Sequence, residues 1–276
     1  MTPTQKGSPM SSHHGPARRT LLQGAAVVSG AALLTGTGSI TARAQTRATT
    51  VEPGMYFRAD WNARPPSSPV QVLATPPDYV VVHHTATPNS TDYSEAHALA
   101  LSRSIQNFHM DGNGWADAGQ QFTISRGGHL MEGRDRAVPA VREGSHCVGA
   151  HVADNNSTCV GIENEGTYMD VGPTQALTDK LVETLAWLCG AYGLDPQTAI
   201  LGHRDFNATA CPGDVLYARL PDLRNAVSGL LVAQGVEIGR RPISISDGPT
   251  YPPVPENEPR RKFFHGPGRG SDDFTR

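Results

Sequence analysis

Tyr79-Val80-Val81-Val82-His83-His84-Thr85 is the stretch from which the rest of this chain can be read. It is a Val-rich run that stops at two histidines, and it reads as a buried strand. Side chains alternate along a strand, so Val81 and His83 share a face and His84 points the other way. On local grounds alone either histidine is a candidate ligand. A second apolar run, Ala199-Ile200-Leu201-Gly202, ends at His203-Arg204-Asp205, and Cys211-Pro212-Gly213 follows after seven residues. Two imidazoles and one thiolate make a tetrahedral zinc site with the fourth position open, which is the mark of a catalytic rather than a structural zinc. Cys211 stands in a loop tied down by Pro212-Gly213, and the histidines stand at strand ends, so all three are held on constrained backbone.

Strands and helices interleave around these runs. Asp92 with Glu95 reads as a capping box that opens a helix through about His109, with Asp111-Gly112-Asn113-Gly114 ending it. Gln121 to Arg126 alternates as a strand, and Gly127-Gly128 is a hairpin turn into His129-Leu130-Met131-Glu132. Cys159-Val160-Gly161-Ile162-Glu163 is a further strand, with Val160 and Ile162 on one face and Gly161, Glu163 and Glu165 on the other. A long helix runs from about Thr174 to Ala191 and stops at Gly193. A last helical stretch from Gly213 to about Leu231 has an expected break at Pro221. This order predicts an α/β fold, a central mixed β-sheet flanked by helices. The length of 276 residues with 38% hydrophobic content supports one sizeable core.

The ends read differently. In residues 1–44, Arg18-Arg19-Thr20-Leu21-Leu22 opens a weakly apolar stretch, and Ala42-Arg43-Ala44 offers a small-x-small cleavage site. A twin arginine before modest hydrophobicity fits a twin-arginine export signal, so the expected location is secreted, cell wall or periplasm. Residues 45–55 read as a linker, 56–234 as the folded domain, and 235–276, rich in Pro, Gly and charge, as a disordered tail. No integral membrane segment is expected once the signal is removed. Residues 1–44 hold four bases (Lys6, Arg18, Arg19, Arg43) and no acids. Of the chain's 23 bases and 26 acids, 19 and 26 lie beyond residue 44, a net charge of −7. That acidity argues against nucleic acid as a partner. Cys189 sits in a helical apolar pattern and reads as core. In an exported chain Cys147 and Cys159, which bracket a short loop, are expected to form a disulfide.

Several motifs occur together and in order: Arg58-Ala59-Asp60-Trp61-Asn62-Ala63-Arg64-Pro65, Val82-His83-His84-Thr85-Ala86, Trp115-Ala116-Asp117-Ala118-Gly119, Gly149-Ala150-His151, and Gly202-His203-Arg204-Asp205 with Thr209-Ala210-Cys211-Pro212-Gly213. Residues 56–231 thereby resemble the peptidoglycan recognition protein and type-2 N-acetylmuramoyl-L-alanine amidase family. The resemblance implies one zinc ion on the floor of a substrate groove, with His83, the first of the histidine pair, joining His203 and Cys211 as metal ligands. The implied reaction is hydrolysis of the amide between the lactyl group of N-acetylmuramic acid and L-alanine, on peptidoglycan or muropeptides, by a monomer.

Gln120 departs from the family pattern, where many members carry a tyrosine that assists catalysis; an amide can hydrogen-bond but cannot shuttle a proton. Val160-Gly161-Ile162-Glu163-Asn164-Glu165-Gly166 resembles the Gly-Ile-Glu-x-Glu-Gly segment of anhydromuropeptide amidases, in which the first glutamate is the acid/base group. Glu163 is therefore the expected proton carrier and Thr209 the expected oxyanion donor. His151 and Asn156 fall at positions the family associates with substrate, and Gln120 is expected to bind substrate through its amide. Two other functions fit the same residues: a peptidoglycan-binding protein without catalysis, and a zinc amidase on another amide. Binding-only members typically lack the cysteine ligand, which this chain keeps.

Overall fold

The computed structural model describes residues 50–237. The expected export signal and the expected tail beyond residue 237 lie outside the described residues. A five-stranded mixed sheet forms the centre, in the order β4-β3-β6-β2-β7. Its members are β2 (Tyr79–His84), β3 (Phe122–Ile124), β4 (Leu130–Glu132), β6 (Cys159–Asn164) and β7 (Ile200–Gly202). A small second sheet pairs β1 (Val72–Leu73) with β5 (His146–Cys147). The hairpin read at Gly127-Gly128 joins β3 to β4 antiparallel, whereas β2 pairs parallel with both β6 and β7.

Parallel central strands are covered on both faces, and every residue of β2 and β6 is buried. One face carries Val80, Val82, Phe122, Ile124, Val160 and Ile162 into the main core. There they meet α3 (Gln175–Tyr192) and α6 (Leu220–Ala233) through Leu177, Leu181, Leu185, Leu188, Val227 and Leu231. Each such buried leucine contributes on the order of 2 kcal/mol by removal from water. The opposite face packs Tyr79, Val81, Val152, Cys159 and Phe206 at the base of the strands. Farther along that face the side chains turn polar, and the site begins there.

Local chemistry accounts for the helix limits. Thr174 caps α3, its hydroxyl accepting from Leu177 N, and Gly193 closes it in the left-handed region at φ 69°. The last helical stretch breaks at Arg219, so that Pro221 falls in the first turn of α6, where its missing N–H costs nothing. The first helix, α1 (Glu95–Asn107), is capped by Ser94 rather than by an Asp92/Glu95 box. Asp92 lies two residues outside, its carboxylate accepting from Ser94 N at 2.9 Å. A single π turn, Phe108–Gly112, follows α1. The remaining helices are α2 (Ala137–Glu143), α4 (Pro196–Ala199) and α5 (Asp214–Ala218).

Two expectations are corrected. The segment read as a linker up to residue 55 already lies on the domain: Glu52 accepts two hydrogen bonds from Arg142, at 2.6 and 2.9 Å, and Met55 packs against the core. Cys147 and Cys159 are not bridged. They belong to different sheets, and Cys147 Sγ is directed at Asp135 O (3.0 Å) while Cys159 Sγ lies beside Thr158 Oγ1 (3.7 Å). Burial pushes both thiols up to about 12, far from the thiolate that exchange chemistry needs.

Candidate active site

The site stands at the C-terminal ends of β2 and β7, the neighbouring strands that end in the histidines. Ligand atoms of His83, His203 and Cys211 all lie within 4.8 Å of one another, and all three side chains are buried. Strand phase decides between the two histidines. His83 shares the polar face with Gly161 and Glu163, whereas His84 turns toward the helical core and its Nδ1 accepts from Tyr168 N at 3.4 Å. Cys211 Sγ lies 3.6 Å from His83 Nδ1 and accepts from His84 N at 3.4 Å. That backbone N–H favours the thiolate form a metal requires.

Residues around His203 explain the His-Arg-Asp sequence. Arg204 staples the loop that carries Cys211: its Nη1 pairs with Asp214 at 2.7 Å, its backbone N donates to Cys211 O at 3.0 Å, and its Nη2 donates to Ala210 O. The guanidinium lies 4.6 Å from the centre of the Tyr217 ring. Asp205 accepts from Gly202 N at 2.8 Å and from the Tyr217 hydroxyl at 2.5 Å. Burial and the Asp205 carboxylate push that hydroxyl up to about 12, so it remains a donor. The Cys211–Pro212 peptide is cis. Thr209 Oγ1 accepts from Cys211 N at 3.2 Å, which places its hydroxyl against the thiol loop.

Glu163 is the register partner of His83 across the β2–β6 pair and of Thr123 across β3–β6. It is 2% exposed. Gln120 reaches the same neighbourhood by donating its Nε2 to Thr123 Oγ1 at 2.9 Å, with its buried Oε1 left without a protein partner. The structure thus gathers His83, His203, Cys211, Glu163 and Thr209 around one centre, with Gln120 anchored through Thr123. Asn156 serves the backbone instead. Its Oδ1 accepts from His151 N (2.7 Å) and Val152 N (3.0 Å), closing the loop that carries His151. His151 is nearly buried behind His83, with 3.0 Å between its Nδ1 and His83 Nε2. The reading of the sequence missed Asn207, whose Oδ1 meets His203 Nε2 at 3.0 Å. Its position four residues past His203 was the only available signal.

Two of the quoted motifs lie outside the cluster of His83, His203 and Cys211 and serve the fold. Asp117, fully buried, accepts from Arg58 (2.9 Å), Gln106 Nε2 (2.7 Å) and Asp135 N (2.7 Å). Trp61 Nε1 donates to Glu132 O at 3.0 Å, and the Trp115 ring packs 4.7 Å from that of His109, at the end of the first helix.

A family model described as N-acetylmuramoyl-L-alanine amidase matches residues 73–214, more than half of the chain, and the protein belongs to that family. It is 35% identical over 168 residues to human N-acetylmuramoyl-L-alanine amidase, covering 60% of this chain and 27% of that protein. The similarity to peptidoglycan-recognition protein LB of Drosophila melanogaster is 32% over 166 residues, covering 60% of this chain and 67% of the relative. The solved structure of wild-type Drosophila PGRP-LB superposes with a TM-score of 0.53 at 31% identity, over 60% of this chain and 92% of that one. The chain spans about a quarter of the length of the human and pig amidases it matches. Among the described residues no helix is long and apolar enough to cross a membrane.

Proposed function

We propose that this chain is an exported, zinc-dependent N-acetylmuramoyl-L-alanine amidase, acting as a monomer on the lactyl–L-alanine amide of peptidoglycan or muropeptides. The convergence of His83, His203 and Cys211 within 4.8 Å carries the reading. Two imidazoles and a thiolate fit zinc by ligand type, and three protein donors leave a position for water or substrate. Zinc bound there supplies a water of lowered pKa and polarises the scissile carbonyl. Glu163, facing the site from the strand beside His83, holds the proton released at attack and returns it to the leaving amine. Thr209 donates its hydroxyl to the developing oxyanion, and Gln120 orients substrate through its amide. Substrate class is supported by relatives: solved structures of a mutant of Drosophila PGRP-LB and of peptidoglycan recognition protein-LE are of complexes with tracheal cytotoxin, described for the latter as monomeric diaminopimelic acid-type peptidoglycan. Export is supported by the twin-arginine pattern of residues 1–44.

Purified peptidoglycan digested by the chain lacking residues 1–44 should release stem peptides from intact muramic acid, read by mass spectrometry, and chelation should stop the release. Glu163→Gln should keep one zinc per chain and lower the rate about a hundredfold or more. Zinc binding and wall binding without any cleavage would favour the second reading, a recognition protein of the same fold, for which Gln120 in place of tyrosine is the specific observation.

A further inference from the structure

Both ligand histidines are held from behind, and the polarity of those contacts can be worked out atom by atom. His151 Nε2 lies 3.1 Å from Cys159 O. A carbonyl only accepts, so that nitrogen carries the proton. In a neutral imidazole the other nitrogen is then an acceptor. His151 Nδ1 lies 3.0 Å from His83 Nε2, which must therefore be the protonated nitrogen of His83. The lone pair left on His83 is at Nδ1, the atom 3.6 Å from Cys211 Sγ. The same logic holds at His203. Asn207 Nδ2 donates to Ala153 O at 3.3 Å, so its Oδ1 accepts from His203 Nε2, leaving Nδ1 for the metal.

The His151 ring is seated for this contact. A Cβ at Gly161 would stand 2.6 Å from its Nδ1, and one at Gly149 would stand 2.4 Å from its Cδ2, so both positions require glycine. The two rings lie 5.0 Å apart and nearly perpendicular at 88°. Asn156 fixes the backbone of the same loop, and Ala153 within it holds Asn207.

We infer that His151 is a positioning residue of the metal centre, not a substrate contact: it transmits the polarity of the Cys159 carbonyl to His83 and fixes His83 as the Nε2–H tautomer, with Nδ1 presented to the metal. Asn207 does the same for His203. The loop 149–158 thereby sets both ligand tautomers before any ion arrives. This rests on the zinc reading of the site, but its test needs no turnover.

Nitrogen-15 imidazole spectra of the metal-free protein should show His83 as a single Nε2–H tautomer. His83 as the Nδ1–H form would overturn the inference, whatever the amidase assay gives. In His151→Phe the ring volume stays but the acceptor is lost. His83 should then populate both tautomers, and zinc affinity should fall ~10–100-fold, the usual scale for an outer partner of a metal ligand. His151→Asn, whose Oδ1 can replace Nδ1, should recover most of that affinity. Unchanged zinc affinity in His151→Phe, with only KM for muropeptides raised, would make His151 a substrate contact. If neither variant folds, the wild-type spectrum still decides. An inactive amidase with the expected tautomer would refute only the proposed reaction.

Discussion

Arg58→Met should cost about 3 kcal/mol of stability, although residue 58 makes no contact in the proposed reaction. Arg58 is 13% exposed and pairs at 2.9 Å with Asp117, which has no exposed surface. The guanidinium also donates to Arg64 O at 2.8 Å and to Gly133 O. Methionine preserves most of the stem and removes the charge, leaving a buried carboxylate with only Gln106 Nε2 and Asp135 N as donors. Removing one partner of a buried pair costs roughly 3–5 kcal/mol, and the two retained donors place this case at the low end. Urea unfolding is the assay. With a slope of about 2 kcal/mol/M, the midpoint should fall by roughly 1.5 M. Arg64→Met is the control, since its 2.7 Å pair with Asp111 is largely exposed and screened by water, so that its loss should cost little. Adding Asp117→Asn to Arg58→Met should cost less than the sum of the single changes, because a neutral amide no longer leaves a charge uncompensated. A loss under about 1 kcal/mol for Arg58→Met, equal to that of Arg64→Met, would refute the argument.

Cys211→Ser should lower bound zinc, measured by metal analysis after dialysis, because a hydroxyl is a much poorer zinc donor than a thiolate; normal zinc content would remove Cys211 from the centre. Thiol titration of the chain lacking residues 1–44 should give four reactive groups after unfolding without reductant, and a count of two would restore the Cys147–Cys159 bridge. Burial lowers the His146 pKa below its ordinary 6.5, against the opposing effects of the Asn156 carbonyl and Asp78. The neutral ring therefore contributes stability that is complete above 6.5 and is lost as pH falls from there through the lowered folded value, where the unfolded chain takes up the proton. His146→Gln, which can keep a donor toward Asn156 O, should flatten this acid limb in denaturation curves, and an unchanged limb would assign it to other groups.

Much of the fold was legible because local chemistry and final structure agree. Thr174 and Gly193 mark the ends of α3 by side-chain capping and left-handed backbone, properties of the residues themselves. The alternation of β2 separates His83 from His84, and that of β6 puts Glu163 on the same face as His83. Failures occur where a partner is distant in sequence. Asp92 reads as the cap, but Ser94 takes that position, its hydroxyl accepting from His97 N, while Asp92 accepts from Ser94 N outside the helix. Cys147 and Cys159 flank one loop, yet the first pairs with β1 and the second starts a strand of the main sheet. Pro139 hides α2, although it falls in the first helical turn, where no intrahelical N–H bond is lost. Asn156 is expected to meet substrate, but its oxygen accepts from His151 N and Val152 N and closes a loop instead.

The strand order carries a consequence for synthesis. The Val80-Val81-Val82 strand is made early, but its sheet neighbours are residues 159–164 and 200–202. As the chain leaves the ribosome from its N-terminus, this apolar strand has no sheet partner for some eighty residues, and His83 at its end meets Cys211 only once that residue has been made. Nascent chains shorter than about 165 residues should therefore need chaperone cover, and the cluster of His83, His203 and Cys211 can assemble only once nearly the whole domain has emerged.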